Sequence, residues 1–330
     1  MKLIFNILYL TMLSIAFVFL LNSCNKDKEQ EPIPPADPLP AWKNITAIDT
    51  SVSINALQFT GSSTVWMTGD SGRIFNSNDG GTNWTSMIRP GNDLKNIFFL
   101  NAAAGWICGS KGLILHTQNG SSWDSISTGI AADLYDIQFI TNEEGWAVGA
   151  PGQSSETVIL HTINGGISWN QQLSSTTNLL SGIFCIDSMG WACGMNGTIL
   201  RTTDKGSSWK TISVSFTNNL KKIIFIDKNT GYIAGSNGFL AKTSDGGLTW
   251  TILATNTLSD LYDIFFLDSA HAWVSGEKGK VLQSTDGGQT WAVMNTNTDA
   301  YLYGIAFSEP TKGLAIGATK SNKGIAIQYK

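Results

Sequence analysis

The octet "TSDGGLTW" (residues 243–250) recurs along the chain. Its variants are "SNDGGTNW" (77–84), "TQNGSSW" (117–123), "TINGGISW" (162–169), "TTDKGSSW" (202–209) and "STDGGQTW" (284–291). The copies end at Trp84, Trp123, Trp169, Trp209, Trp250 and Trp291, which sets spacings of 39, 46, 40, 41 and 41 residues. A period near 40 fits four strands of five or six residues plus their turns. Each period carries the same three apolar runs before its octet. One blade reads "LSGIFCI", "GWACG" and "GTILRT". β-Branched and aromatic residues fill these runs, and Gly, Asn or Asp bounds them, as strands require.

Seven first runs, seven second and seven third can be aligned, but only six octets. The last third run, Gly324 to Tyr329, ends the chain. Its missing partner is expected from the front, in "AWKNITAI" from Ala41, because Trp42 keeps register with Trp84. The pattern therefore predicts an all-β fold over residues 41–330. It is a seven-bladed β-propeller of four-stranded antiparallel blades, closed by an N-terminal strand that completes the last blade. Such closure removes a sheet edge that would invite aggregation.

Each octet is expected to be a corner rather than a ligand site. Asp79, Asn119, Asn164, Asp204, Asp245 and Asp286 share its third position and can accept backbone N–H bonds within a turn. The glycines supply positive φ. Trp84, Trp123, Trp169, Trp209, Trp250 and Trp291 then pack between blades. Exchange of Asp for Asn in this column keeps the turn but would weaken a cation site. The pattern resembles the Asp-box, or BNR repeat, of sialidases and related propellers.

The first forty residues stand apart. Lys2 and the apolar run Leu3 to Leu21 lead into "LNSC" (21–24), which resembles the lipobox of bacterial lipoprotein signal peptides. That resemblance implies a signal peptide over 1–23 and lipidation of Cys24; an uncleaved membrane anchor is the other reading. Residues 24–40 are charged and then proline-rich, so they read as a tether. The charged stretch after Cys24 resembles the export signal of surface lipoproteins. The expected location is the outer membrane or cell surface, held by the lipid alone; a periplasm-facing display is the alternative.

A net charge of −4 argues against a nucleic-acid partner. The three histidines have no metal-ligand spacing, and His116 and His161 merely share the polar column before the octet. No cofactor and no metal are expected. Cys108, Cys185 and Cys193 fall in apolar strands. Buried free thiols are the favoured reading, and a bridge between Cys185 and Cys193 stays open.

Function is sought on the face opposite the octets, where loops enter the first strands and join second strands to third. Two of these joining loops are long, at 149–157 and 317–324. Aligned by column, the strand entries hold Asp93, Asp133, Asp260 and Tyr301, then Lys95, Tyr135, Lys221, Tyr262 and Tyr303, then Asp136, Lys222 and Asp263. A channel rim of Asp, Tyr and Lys is expected, suited to a peptide or a glycan.

Across residues 41–330 the Gly-Trp second strands and runs such as "TVILHTINGGISW" resemble the photosystem II assembly and stability factor propellers. The resemblance implies a non-catalytic scaffold that binds partner proteins. Photosynthetic members use an arginine-rich patch, whereas here Arg73, Arg89 and Arg201 are scattered, so that site is not carried over. The preferred reading is a monomeric, lipid-anchored envelope scaffold for a protein partner, with no catalytic residues assigned. The alternative is a propeller that binds or hydrolyses glycans, with rim carboxylates as acid and base or rim tyrosines as stacking platforms.

Overall fold

The computed structural model describes residues 41–46, 48, 51–151 and 157–330. The segments expected as signal peptide and tether, with Cys24, lie outside the described residues, as does most of the 149–157 loop. The described strands form seven four-stranded antiparallel sheets. The first blade is made of Ile54–Phe59, Val65–Gly69, Arg73–Ser77 and Thr85–Ile88. Five more follow in the same order, with inner strands Leu94–Phe99, Ala132–Phe139, Leu180–Ile186, Leu220–Phe225 and Leu261–Phe266. The seventh joins Tyr301–Glu309, Lys312–Ala318 and Gly324–Tyr329 to the N-terminal strand Trp42–Asn44. Trp42 pairs with Tyr329 and Asn44 with Ile327, so the ring closes as the repeat count requires.

Four of the second strands are buried from end to end, because both faces pack on neighbouring blades. Fourth strands are short, only two residues, both exposed, in the third, fourth and fifth blades. Short outer strands limit the pairing surface at each blade's edge. Among the described residues no helix is long and apolar enough to cross a membrane.

The blades are joined by a repeated aromatic unit. The second-strand ring of one blade stacks on the inner-strand Phe of the next, as in Trp106–Phe139 and Trp191–Phe225, each with centroids 3.6 Å apart. The octet Trp of that next blade meets the same Phe edge-on: Trp169 on Phe139 at 86° and Trp250 on Phe225 at 81°. Aromatic pairs in these geometries add about 0.5–1.5 kcal/mol beyond burial. In four blades a glycine at the start of the second strand, Gly105, Gly145, Gly231 or Gly313, makes room for that blade's Phe. A Cβ on Gly145 would fall 2.5 Å from the Phe139 ring. The third-to-fourth interface departs from the pattern, with buried Cys185 in the Phe position beside Trp146 and Trp209.

The octets are corners, and their polar atoms are used twice. Within the turn, Asp245 Oδ1 accepts the N–H of Leu248 at 3.0 Å and of Thr249 at 2.9 Å. The octet's leading hydroxyl, Thr243 Oγ1, accepts the N–H of Gly247 at 3.0 Å. Between blades, the first octet glycine offers its carbonyl to the preceding blade. Trp106 Nε1 donates to Gly165, Trp191 Nε1 to Gly246 and Tyr232 Oη to Gly287. At the ring closure Gln328 Nε2 donates to Gly80 at 2.8 Å.

Cys108, Cys185 and Cys193 are free and buried. Cys185 lies opposite Gly190 and Cys193 opposite Gly182 in the hairpin register, so the two thiols do not face each other. Burial pushes all three thiols up, Cys185 with further help from Glu144 and Asp136.

Candidate functional site

All seven inner strands carry a β-bulge at the same place, seen as a register break such as Leu134/Asp136 or Leu261/Asp263. The extra residue in each is Asn55, Lys95, Tyr135, Ser181, Lys221, Tyr262 or Tyr303. A bulge re-aims its side chain. All seven of these residues line one central cavity of about 380 Å³, whose wall is drawn from every blade. The candidate residues Lys95, Tyr135, Lys221, Tyr262 and Tyr303 are thus brought together in one ring. Deeper in the channel the wall turns apolar, through Phe98, Phe184, Ile224 and Phe265.

Asp136 and Asp263 lie one position beyond the bulge, in the channel wall rather than on its rim, and both staple inner strands together. Asp136 Oδ1 accepts the N–H of Ile137, and its Oδ2 accepts the N–H of Ile183 on the next blade at 3.0 Å. Asp263 repeats this with Ile264 and Ile305, both at 3.0 Å. In each case the next blade has a glycine in the Asp column; a Cβ on Gly182 would crowd Cys193 and the backbone of Lys222 and Ile223, and one on Gly304 would crowd Leu57. Asn96 Nδ2 adds a bond of 2.7 Å to Asp136 Oδ1. Lys222 Nζ reaches the same carboxylate at 3.3 and 3.0 Å. Burial opposes the charged form of Lys222, but Asp136 and then Asp263 outweigh it and hold its pKa above the ordinary value. Burial pushes Asp263 up, against the pull of Lys222 and the two amides.

The entry carboxylates have a local task as well. Asp93, Asp133 and Asp260 each accept the N–H of a residue in the preceding blade's second-to-third turn: Ser71, Lys111 and Asn237, at 2.9–3.0 Å. Those three residues sit at φ of 56°, 57° and 58°. The bond to Ser71, with help from Lys95 against burial, draws Asp93 below the usual carboxylate range. Lys95 Nζ is held between Asp70 at 3.3 Å and Asp93 at 3.2 Å. Lys221 has no ion pair among the described residues.

The tyrosines gather on one side. Tyr262 meets Tyr303 at 5.4 Å and 65°, and Tyr301 lies parallel to Tyr303 at 6.3 Å. Tyr135 stands apart, on the third blade. Burial raises the phenol of Tyr135, with Asp133 adding to it. Burial also raises Tyr303 and, more strongly, Tyr262, to which Asp260 and Glu277 add. Glu277, Asp70 and Asn55 belong to this mouth yet carry no signal in the sequence beyond their turns.

The family model for photosynthesis system II assembly factor YCF48 matches residues 36–118, 116–216, 207–260 and 251–330. The chain belongs to this family. Two YCF48 structures share the fold. One, described as YCF48 bound to D1 peptide, is 20% identical with a TM-score of 0.70, over 88% of this chain and 97% of that one. The other, YCF48 from Cyanidioschyzon merolae, is 20% identical with a TM-score of 0.69, over 88% and 98%. The WD40 propeller of Doa1 superposes as well, at 13% identity and a TM-score of 0.69, over 88% and 97%. No curated protein matches the chain at a significant level. In this YCF48-family member two of the three arginines serve the blade interfaces. Arg89 donates to the Trp123 carbonyl, and Arg201 Nε to the Gly246 carbonyl at 2.8 Å.

Proposed function

We propose that the protein is a non-catalytic scaffold that holds an extended segment of a partner protein across the channel mouth. The bulge ring carries this reading. Five charged or aromatic side chains of the expected rim sit side by side, half-buried, at the opening of a cavity built by all seven blades. Half-buried aromatic rings bind with little loss of side-chain entropy. The wall carboxylates Asp136 and Asp263 are committed to backbone amides, which suits a rigid seat better than acid–base chemistry. A YCF48 structure described with a bound D1 peptide supports a peptide-sized ligand for this family.

The scaffold is proposed to be tethered to the outer membrane or cell surface by lipid on Cys24. Residues 24–40 would give the propeller freedom to meet its partner. Mass spectrometry of the membrane-extracted protein is expected to show a chain that starts at Cys24 and carries acyl groups; a membrane-bound chain that still carries residues 3–21 would argue for an uncleaved anchor.

The test of binding is cross-linked capture from the native envelope, comparing the wild-type chain with a Tyr262→Ser/Tyr303→Ser variant. One reproducible protein partner, lost from the variant, is the expected result. Retention of polysaccharide in its place, equally lost, would assign the mouth to glycans, which the exposed ring faces also suit. A partner kept by the variant would remove the mouth from consideration.

A further inference from the structure

We infer that the mouth selects a basic segment, and that Tyr262, Tyr301 and Tyr303 with Asp260 and Glu277 form the seat for its Lys or Arg side chain. The inference rests on the mouth being the docking site.

The tyrosines form a corner. The ring of Tyr262 stands at 65° to that of Tyr303, and Tyr301 runs parallel to Tyr303 at 9°. All three are half-buried, and among the described residues none of their hydroxyls has a hydrogen-bond partner. In this edge-type contact one ring's edge covers a face of the other, and the faces left over are electron-rich. A cation within about 6 Å of such a face gains about 0.5–2 kcal/mol.

The acids lie beside the corner. The N–H of Glu277 donates to the Asp260 carbonyl at 2.8 Å, so the two residues are neighbours across the blade. Asp260 uses Oδ1 for the N–H of Asn237 and has no ion pair among the described residues. Glu277 is paired only loosely, with Lys278 at 3.7 Å. The nearby Lys320 is already taken by Asp299 at 2.7 Å. Negative charge therefore remains beside three aromatic faces. The influence of Asp260 and Glu277 on the Tyr262 phenol places them within electrostatic reach of that ring. An ammonium or guanidinium would satisfy both the faces and the carboxylates, and a guanidinium can stack flat on Tyr while bonding an acid. A carboxylate ligand would meet repulsion there.

The test uses fluorescein-labelled dodecapeptides of alternating Gly and Arg, Gly and Lys, or Gly and Glu, read by anisotropy against the whole propeller with its tether. The basic probes are expected to bind. Their affinity should fall at least tenfold in Asp260→Asn/Glu277→Gln and in Tyr262→Leu/Tyr303→Leu. It should be unchanged in Asp187→Asn, whose carboxylate pairs with Lys228 elsewhere, and largely kept in Tyr262→Phe/Tyr303→Phe, which preserves the rings. Tighter binding of the Glu probe, still lost in the Leu variant, would keep the mouth as the docking site and overturn the choice of a basic ligand. Basic-probe affinities indifferent to both the acid and the Leu variants would overturn the seat. If the captured partner is also kept by the Ser variant, the mouth itself falls.

Discussion

Lys222, on the inner strand of the fifth blade, places its ammonium 3.0 Å from Asp136 Oδ2 on the third. Asp136 has a side chain 3% exposed, and Lys222 one that is 24% exposed. The pair ties two non-adjacent blades across the channel. Removing the cation alone leaves a buried carboxylate without its counter-charge, which costs several kcal/mol. Lys222→Met is expected to lose about 3 kcal/mol in urea unfolding, near the low end because Lys222 keeps some contact with water. Adding Asp136→Asn removes the unpaired charge but leaves one accepting oxygen where Ile137 and Ile183 each use one, so it should restore only part of that loss.

Ring closure hangs on one side chain. Trp42 is 4% exposed, edge-on to Phe307 at 88° and 5.2 Å from Tyr329. Phe307 in turn is stacked on Trp273 of the sixth blade at 3.7 Å. Truncating a buried Trp costs about 3–5 kcal/mol, and here it also loosens the strand that joins the two ends. Trp42→Ala is expected to lose that much stability. It should also make Gly324–Tyr329 the first segment to exchange its amides, read by hydrogen-exchange mass spectrometry.

The repeat made the fold legible, including the closure, because seven copies of one hydrophobic pattern fix strand order and register. The octets were equally legible: turn chemistry at Asp245 is local in sequence. The mouth was only half legible. Pairs such as Tyr135–Asp136 and Tyr262–Asp263 break the alternation of a strand. They look like two rim columns but are one bulge residue followed by one wall residue. Nothing in a column shows that Asp136 bonds an amide one blade away, or that Lys222 reaches across two. Those contacts depend on how the ring brings separate blades together. The gathering of Tyr262, Tyr301 and Tyr303 against Glu277 likewise needs three dimensions, because Glu277 belongs to a second-to-third turn.

The octet aspartates predict an acid limb. Hydrogen bonds hold Asp79, Asp204 and Asp245 at about 2, led by Asn83, Thr202 and Thr249 respectively, and those from Thr290 hold Asp286 lower still. A carboxyl depressed in the folded chain adds stability that is fully present above its unfolded value of 3.8 and is lost as pH falls through the folded one. Stability should therefore fall between about pH 4 and pH 2. Asn119 and Asn164 show that the corner accepts an amide: both accept the N–H of Ser122 or Ser168 at 2.9–3.0 Å. Changing all four aspartates to Asn is expected to flatten the acid limb of the urea midpoint while leaving the blade count unchanged. A limb of unaltered slope would assign it to other carboxylates.

Lys205 occupies the octet position that is Gly80, Gly120, Gly165, Gly246 and Gly287 elsewhere, and it takes the same left-handed backbone, at φ 57°. A side chain there is strained by roughly 1 kcal/mol. Its ammonium offsets this through Glu144 Oε2 at 2.8 Å, a pair half exposed on the Lys side and worth less than about 1 kcal/mol. The two effects separate when two variants are compared. Lys205→Ala loses the ion pair and keeps the strained backbone, so it should be destabilised. Lys205→Gly loses the same pair and releases the strain. The difference between them, with the pair absent from both, is expected to be about 1 kcal/mol in favour of Gly. Equal stabilities in urea would mean that the corner tolerates Lys205 without strain, and that Gly120 and Gly287 answer the close approach of their own blade's Ala102 and Ser269 carbonyls instead.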